Sequence, residues 1–239
     1  MERYYLHSDV HVSFVPDGTI LQDFRNGKYL GLSQQQTLAL SKIVHGWPPA
    51  PESAQQESHT DKDLRDLAHS LAEQKVLTRI AARGKITVAP LELEPPTAPL
   101  LEPDVASTPR IRPHHIFNLL VAFLAVFPLF KIKPLRSTLR SISKHRDKNA
   151  RRMSPDLNDL RYLVSIFNLL RPLLYRRKYH CLLDCLVLVR FLGRYRKFPR
   201  VVFGVRSGPF AAHAWVQEEG YVLNDLPELV RSYSPIFVA

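Results

Sequence analysis

Three residue types in one order, Cys181, then His213, then Asp225, supply the parts of an activated nucleophile. In such a set a thiolate attacks a carbonyl carbon and a histidine gives a proton to the leaving amine. An aspartate fixes the tautomer and orientation of the imidazole. The residue types alone do not assign these roles. A cysteine in an apolar run is commonly a small core residue, and the chain has 10 histidines to choose from. The second cysteine, Cys185, lies four positions on in the same run. A metal site built from His180, Cys181, Cys185 and His213 is the competing chemistry. Its cysteine spacing departs from the C-x2-C pairs usual at zinc, so no metal and no cofactor is expected.

The elements that must position these residues are legible nearby. The run from His180 to Gly193 reads as a buried helix ended by glycine. Cys181 falls at its start, where the helix dipole and unpaired N–H groups favour a thiolate. Cys185 lies one turn inside, where thiols pack as apolar groups. The stretch 200–206 reads as a strand and 212–217 as another. Glu218-Glu219-Gly220 turns, and Tyr221 to Asp225 returns. That hairpin sets Asp225 within reach of His213, with Trp215 as core. Upstream, 116–130 reads as one apolar helix stopped or kinked at Pro128. The stretch 131–152 carries nine Lys/Arg and one acid, and 156–170 is amphipathic, with Leu157, Leu160, Leu163, Val164 and Phe167 on one side.

The first ninety residues have another character. Strand-like runs cover 11–15, 19–24 and 29–32, with Pro16-Asp17-Gly18 and Asn26-Gly27 as turn signals. Ser33 is placed to cap a helix reaching about His45, and a second helix starts near Thr60 with Leu64, Leu67, Ala68 and Leu71 in one stripe. Between Pro90 and Pro113 stand seven prolines, a density that predicts a semi-rigid extended linker. The predicted organisation is therefore a first domain at 1–88, a linker at 89–112 and a second domain at 113–239.

Charge follows the same division. The formal net charge is +11, yet residues 1–90 are balanced, 91–110 are acidic, and 111–239 hold twenty-two Lys/Arg against eight Asp/Glu. Balance in the first domain argues against nucleic-acid binding there, since phosphate contacts supply most of that affinity. The basic half suits an acidic partner or a peripheral contact with an anionic membrane surface. No signal peptide is read at the N-terminus. The longest apolar stretch is shorter than the ~20 residues of a membrane span. Two cysteines make no disulfide framework. A cytoplasmic location is expected.

Two resemblances sharpen this reading. Cys181-Leu182-x-x-Cys185-Leu186, Gly204-Val205-Arg206, His213-Ala214-Trp215-Val216 and Gly220 to Asp225 together resemble the transglutaminase-like leader peptidases of lasso-peptide biosynthesis, over about 115–239. Position 185 departs from that pattern, which usually has a small hydroxyl residue there. The first domain resembles the PqqD-like leader-recognition module through Asp23-x5-Tyr29-x-Gly31-Leu32-Ser33 and its element order. The fold implied is α+β: a winged-helix-like domain of three short strands plus helices, then a transglutaminase-like, papain-like domain. The activity implied is that of a cysteine endopeptidase acting in antibiotic-type peptide maturation, with Cys181 as nucleophile, His213 as acid/base and Asp225 as orienter. The resemblance further implies that a leader peptide adds as a strand beside Lys28, Tyr29, Leu30, Gly31 and Leu32 and lies against Leu64, Leu67 and Leu71. The implied partners are a precursor peptide and an asparagine-synthetase-like lasso cyclase. Acyl transfer to an amine by the same residues, or a non-catalytic adaptor role, are the alternatives.

Overall fold

The computed structural model describes residues 3–49, 60–101, 109–132, 135–150, 156–175 and 181–239. The segment 51–59, His180 and part of the basic stretch 131–152 lie outside them. The chain divides into two units, one of Met1–Glu92 with Val205–Ala211, the other of Leu93–Gly204 with Ala212–Ala239.

The first unit contains β1 (Tyr5–Leu6), β2 (Val10–Val15), β3 (Gly18–Asp23), β4 (Lys28–Ser33), α1 (Gln34–Ile43), α2 (Asp61–Glu73) and β5 (Leu77–Thr78). β2, β3 and β4 form an antiparallel sheet in that order, with β4 at its edge among the described residues. The β2–β3 turn is Pro16-Asp17, held by the register pair Val15 and Gly18. Gly18 has φ of +143°, and a Cβ there would lie 2.1 Å from the Leu32 carbonyl oxygen, so only glycine fits. Both helices open on reciprocal capping boxes, Ser33 with Gln36 and Thr60 with Asp63. Their apolar faces meet the sheet in one core containing Leu6, Leu21, Leu32, Leu40, Ile43, Leu64 and Leu71. The Arg25 guanidinium joins Asp23 at 2.7 Å and donates to the Lys75 carbonyl at 2.7 Å, tying the β3–β4 turn to the end of α2. β1 pairs with β5, a short antiparallel contact that sequence periodicity did not reveal.

The second unit contains β6 (Ala98–Pro99), α3 (Pro113–Ile132), α4 (Leu135–Ala150), α5 (Leu157–Leu170), α6 (Cys181–Gly193), β7 (Arg200–Arg206), β8 (Ala211–Glu218), β9 (Tyr221–Val222), α7 (Pro227–Val230) and β10 (Ser234–Val238). Its sheet runs β10-β7-β8-β9-β6. α6 is buried along nearly its whole length and packs on α3 and α5. Asp156 caps α5, whose buried face adds Ile166 and Leu170 to the residues expected from its periodicity.

Two stretches rich in proline or interrupted by it take a particular form. α3 does not stop at Pro128 but continues to Ile132. Leu124 and Pro128 sit on its exposed side, where water can take the hydrogen bond that proline removes. The proline-rich segment, expected as a semi-rigid extended linker, is bonded to the second unit's sheet along part of its length. Ala98-Pro99 pairs parallel to β9, and Leu100 is buried at 1% exposure. Gln217 and Arg231 donate to carbonyls of Glu94, Pro96 and Thr97. A proline cannot donate but still offers its carbonyl, and Arg231 takes that of Pro96.

Candidate active site

Cys181 is the first residue of α6 and is partly exposed. The His213 ring foremost, helped by the backbone N–H groups of Ala214 and Leu182, outweighs burial and draws the thiol below its ordinary range. His213 stands in β8, across from the helix start. Its Nε2 lies 2.7 Å from Asp225 Oδ2, which leaves Nδ1 for the thiol. Burial alone would lower the imidazole. The hydrogen bond to Asp225 and then the one to Cys181 more than offset it and raise the ring to about 9. A depressed thiol beside a raised imidazole is the signature of a thiolate–imidazolium pair.

The β8–β9 hairpin explains how Asp225 reaches the ring. Glu219 and Gly220 have φ of 45° and 78°, the left-handed pair that a two-residue type I′ turn requires. The register pairs Glu218 with Tyr221 and Gln217 with Val222. Leu223 N–H still donates to the Val216 carbonyl at 2.9 Å. The expected strand to Asp225 therefore ends early, at Val222. The Val216 N–H is taken by the Asn224 side chain at 2.8 Å, and Asp225 leaves the ladder to face His213. Its other oxygen accepts the Leu226 N–H at 2.9 Å, which fixes the carboxylate plane. Tyr233 packs on the other side of the site, its ring 5.3 Å from that of His213, and Trp215 is 6.3 Å away and nearly parallel. Trp215 is a core residue, 1% exposed.

Cys185 is fully buried and its thiol is pushed well above the ordinary range, by burial first and by the nearby Asp184 charge. It faces the protein interior and accepts from Asn224 Nδ2 at 3.4 Å. Among the described residues no cluster of His, Cys, Asp and Glu could hold a metal ion. His180, a member of the competing metal set, lies outside those residues.

Sequence reasoning passed over Asp184, Asn224, Arg171 and Tyr175. Asp184 has 0% exposure and accepts from Arg171 at 3.0 and 3.1 Å, from Tyr175 at 3.1 Å and from Asn224 at 2.9 Å. The available signal was an acid inside the otherwise apolar run Cys181 to Leu192, a position that demands partners.

The residues expected to hold a leader all lie in the first unit. Lys28 and Gly31 are exposed, Tyr29 and Leu30 half-buried, and Leu32 buried along β4. Tyr29 accepts from Gln22 across the sheet at 2.8 Å. Leu64 and Leu71 are core residues at 4% and 2% exposure, and Leu67 is the one of the three that keeps a solvent face. No described helix is long and apolar enough to cross a membrane.

No curated protein and no solved structure matches the chain. Residues 123–238 match the profile of the Transglutaminase-like superfamily, a stretch that holds Cys181, His213 and Asp225 together with the helix and hairpin that carry them. Residues 123–238 are thus a transglutaminase-like superfamily domain, of the kind that covers cysteine peptidase and acyltransferase activity.

Proposed function

We propose that this protein is a cysteine peptidase that takes a ribosomal precursor peptide by its leader and hydrolyses the leader/core bond, in the manner of lasso-peptide maturation. The observation that carries the reading is the 2.7 Å His213–Asp225 hydrogen bond with the Cys181 thiol, drawn down by that same ring, at the start of α6. The Cys181 thiolate attacks the carbonyl carbon of the last leader residue. The tetrahedral intermediate collapses as His213 gives its proton to the leaving core amine, so the leader is left as a thioester on Cys181. Water, deprotonated by His213, then attacks the thioester and releases the leader acid and the thiol. Asp225 keeps the imidazole in the tautomer and plane that both steps need. Among the described residues β4 is the end strand of its sheet, the place where a leader strand would add, with Leu67 beside the shared core. A lasso cyclase taking the core onward is the partner the resemblance implies.

The test is incubation of the protein with a lasso-type precursor peptide, leader and core together, read by mass spectrometry. The expected products are leader acid and free core amine, absent with Cys181→Ala. Amide-linked products in place of hydrolysis would assign acyl transfer. A Cys181→Ala protein that cleaves like the parent would overturn the reading.

A further inference from the structure

Asn224 is not a member of the triad, yet its side chain touches the chain close to each member. Its Oδ1 accepts from Val216 N, three residues after His213 in β8, at 2.8 Å. Its Nδ2 donates to Asp184 Oδ2, three residues after Cys181 in α6, at 2.9 Å, and to Cys185 Sγ at 3.4 Å. Asp225 is its direct chain neighbour. We propose that Asn224, anchored by Asp184, is a positioning residue that sets the approach of the Cys181 thiol to the His213 ring. This rests on the site described above and deepens the reading of it.

The chemistry of the position favours an amide. It must accept from a backbone N–H and donate to a carboxylate at once, which neither a carboxylate nor an aliphatic side chain can do. The site is buried, with Asn224 at 5% exposure and Asp184 at 0%, so an unmet group there is costly and the geometry is strongly held. Asp184 in turn is fixed from the other side. Arg171 and Tyr175 reach it from the chain that leads into Cys181, and Tyr175 stacks on Phe123 of α3 at 5.8 Å. One carboxylate therefore clamps the chain before and after the nucleophile, and one amide joins that clamp to the strand of the base.

A merely structural role and a positioning role differ in one observable. Lost packing lowers thermal stability but leaves the acidity of the folded thiol alone. Lost positioning loosens the imidazole from the thiol, so the thiol returns toward its ordinary acidity. The experiment measures the rate of Cys181 alkylation by iodoacetamide against pH on the full chain, with peptide mapping and a thermal melt of each variant. It needs no substrate, so its outcome is independent of whether a precursor is cleaved. In Asn224→Ala the midpoint of the rate profile should rise by about one pH unit, and at pH values below the parent's midpoint the rate should fall about tenfold. Should that variant melt below the assay temperature, Asn224→Thr, which keeps close to the volume but cannot reach both partners, is read the same way. A lowered melting temperature with an unmoved midpoint would show packing alone and overturn the proposal. So would a parent thiol whose midpoint already stands at the ordinary value. A raised midpoint in a protein that cleaves no precursor would keep the positioning role and remove the substrate assignment.

Discussion

Two thiols four residues apart have opposite fates because one helical turn separates a dipole end from a core. Cys181 meets N–H groups and a cationic ring, whereas Cys185 meets burial and a carboxylate. Iodoacetamide at neutral pH should therefore label Cys181 and spare Cys185 in the folded protein, as peptide mapping reads directly. Cys185→Ser should keep most of the activity that Cys181→Ala abolishes. The pH profile follows with its sign. Acylation needs the thiolate and the imidazolium together, so kcat/KM should fall as pH rises through about 9 and His213 loses its proton. Asp225→Asn removes the foremost cause that raises the ring. It should shift that alkaline limb to lower pH and cut kcat by orders of magnitude. A normal kcat in this variant would take Asp225 out of the site.

At the scale of elements, the strands are fitted to the site as tightly as the side chains. Gly204 in β7 shows this: a Cβ there would lie 2.7 Å from the Trp215 ring and 2.8 Å from Tyr233 Cβ. Gly204→Ala should cost about 1–3 kcal/mol, the usual range for overpacking. It should also lower kcat, because Trp215 and Tyr233 flank His213; denaturant melts and a cleavage assay read the two effects. In β2, His11 is held neutral by burial and by the Lys85 charge, its ring pushed down to about 3. An unfolded histidine titrates near 6.5 and binds the proton that the folded ring refuses. Stability of the first unit is thus full above about pH 6.5 and lost as pH falls, by up to about 1.4 kcal/mol per pH unit. His11→Gln should remove that acid-side loss in unfolding titrations at pH 7 and pH 5. Capping residues made much of this architecture readable in advance. Ser33, Thr60 and Asp156 each sit at the helix start their chemistry demands, and the run from Cys181 ends at Gly193 as its composition suggests. Two-residue strands carry no period, so β1, β5 and β6 were illegible, and β6 was further hidden by prolines. Asn224 was hidden for another reason. It replaces a ladder bond by a side chain, and only the folded hairpin reveals that exchange.

At the scale of the molecule, the proline-rich segment decides what the two units can do apart. Thr97 and Leu100 donate to the Gly220 and Val222 carbonyls at 2.8 Å each. The segment thereby extends the sheet behind the β8–β9 hairpin, whose turn sets Asp225. A fragment of residues 113–239 lacks this strand, the buried Leu100 and the carbonyls that Arg231 and Gln217 bind. A fragment of residues 93–239 keeps them. The longer fragment should melt several degrees higher and retain rapid Cys181 alkylation, while the shorter one should lose part of both. Leader affinity, on the proposed reading, goes with residues 1–92. Joining the units raises the effective concentration of bound precursor at the thiol to roughly the millimolar range. A mixture of 1–92 and 93–239 at low micromolar concentration should therefore cleave far more slowly than the intact chain, with the gap narrowing as the fragments are concentrated. A leaderless core should gain nothing from adding 1–92. Equal rates for residues 93–239 alone and for the intact chain on full-length precursor would show that the transglutaminase-like domain selects its own substrate. That result would leave the first unit without the role proposed for it.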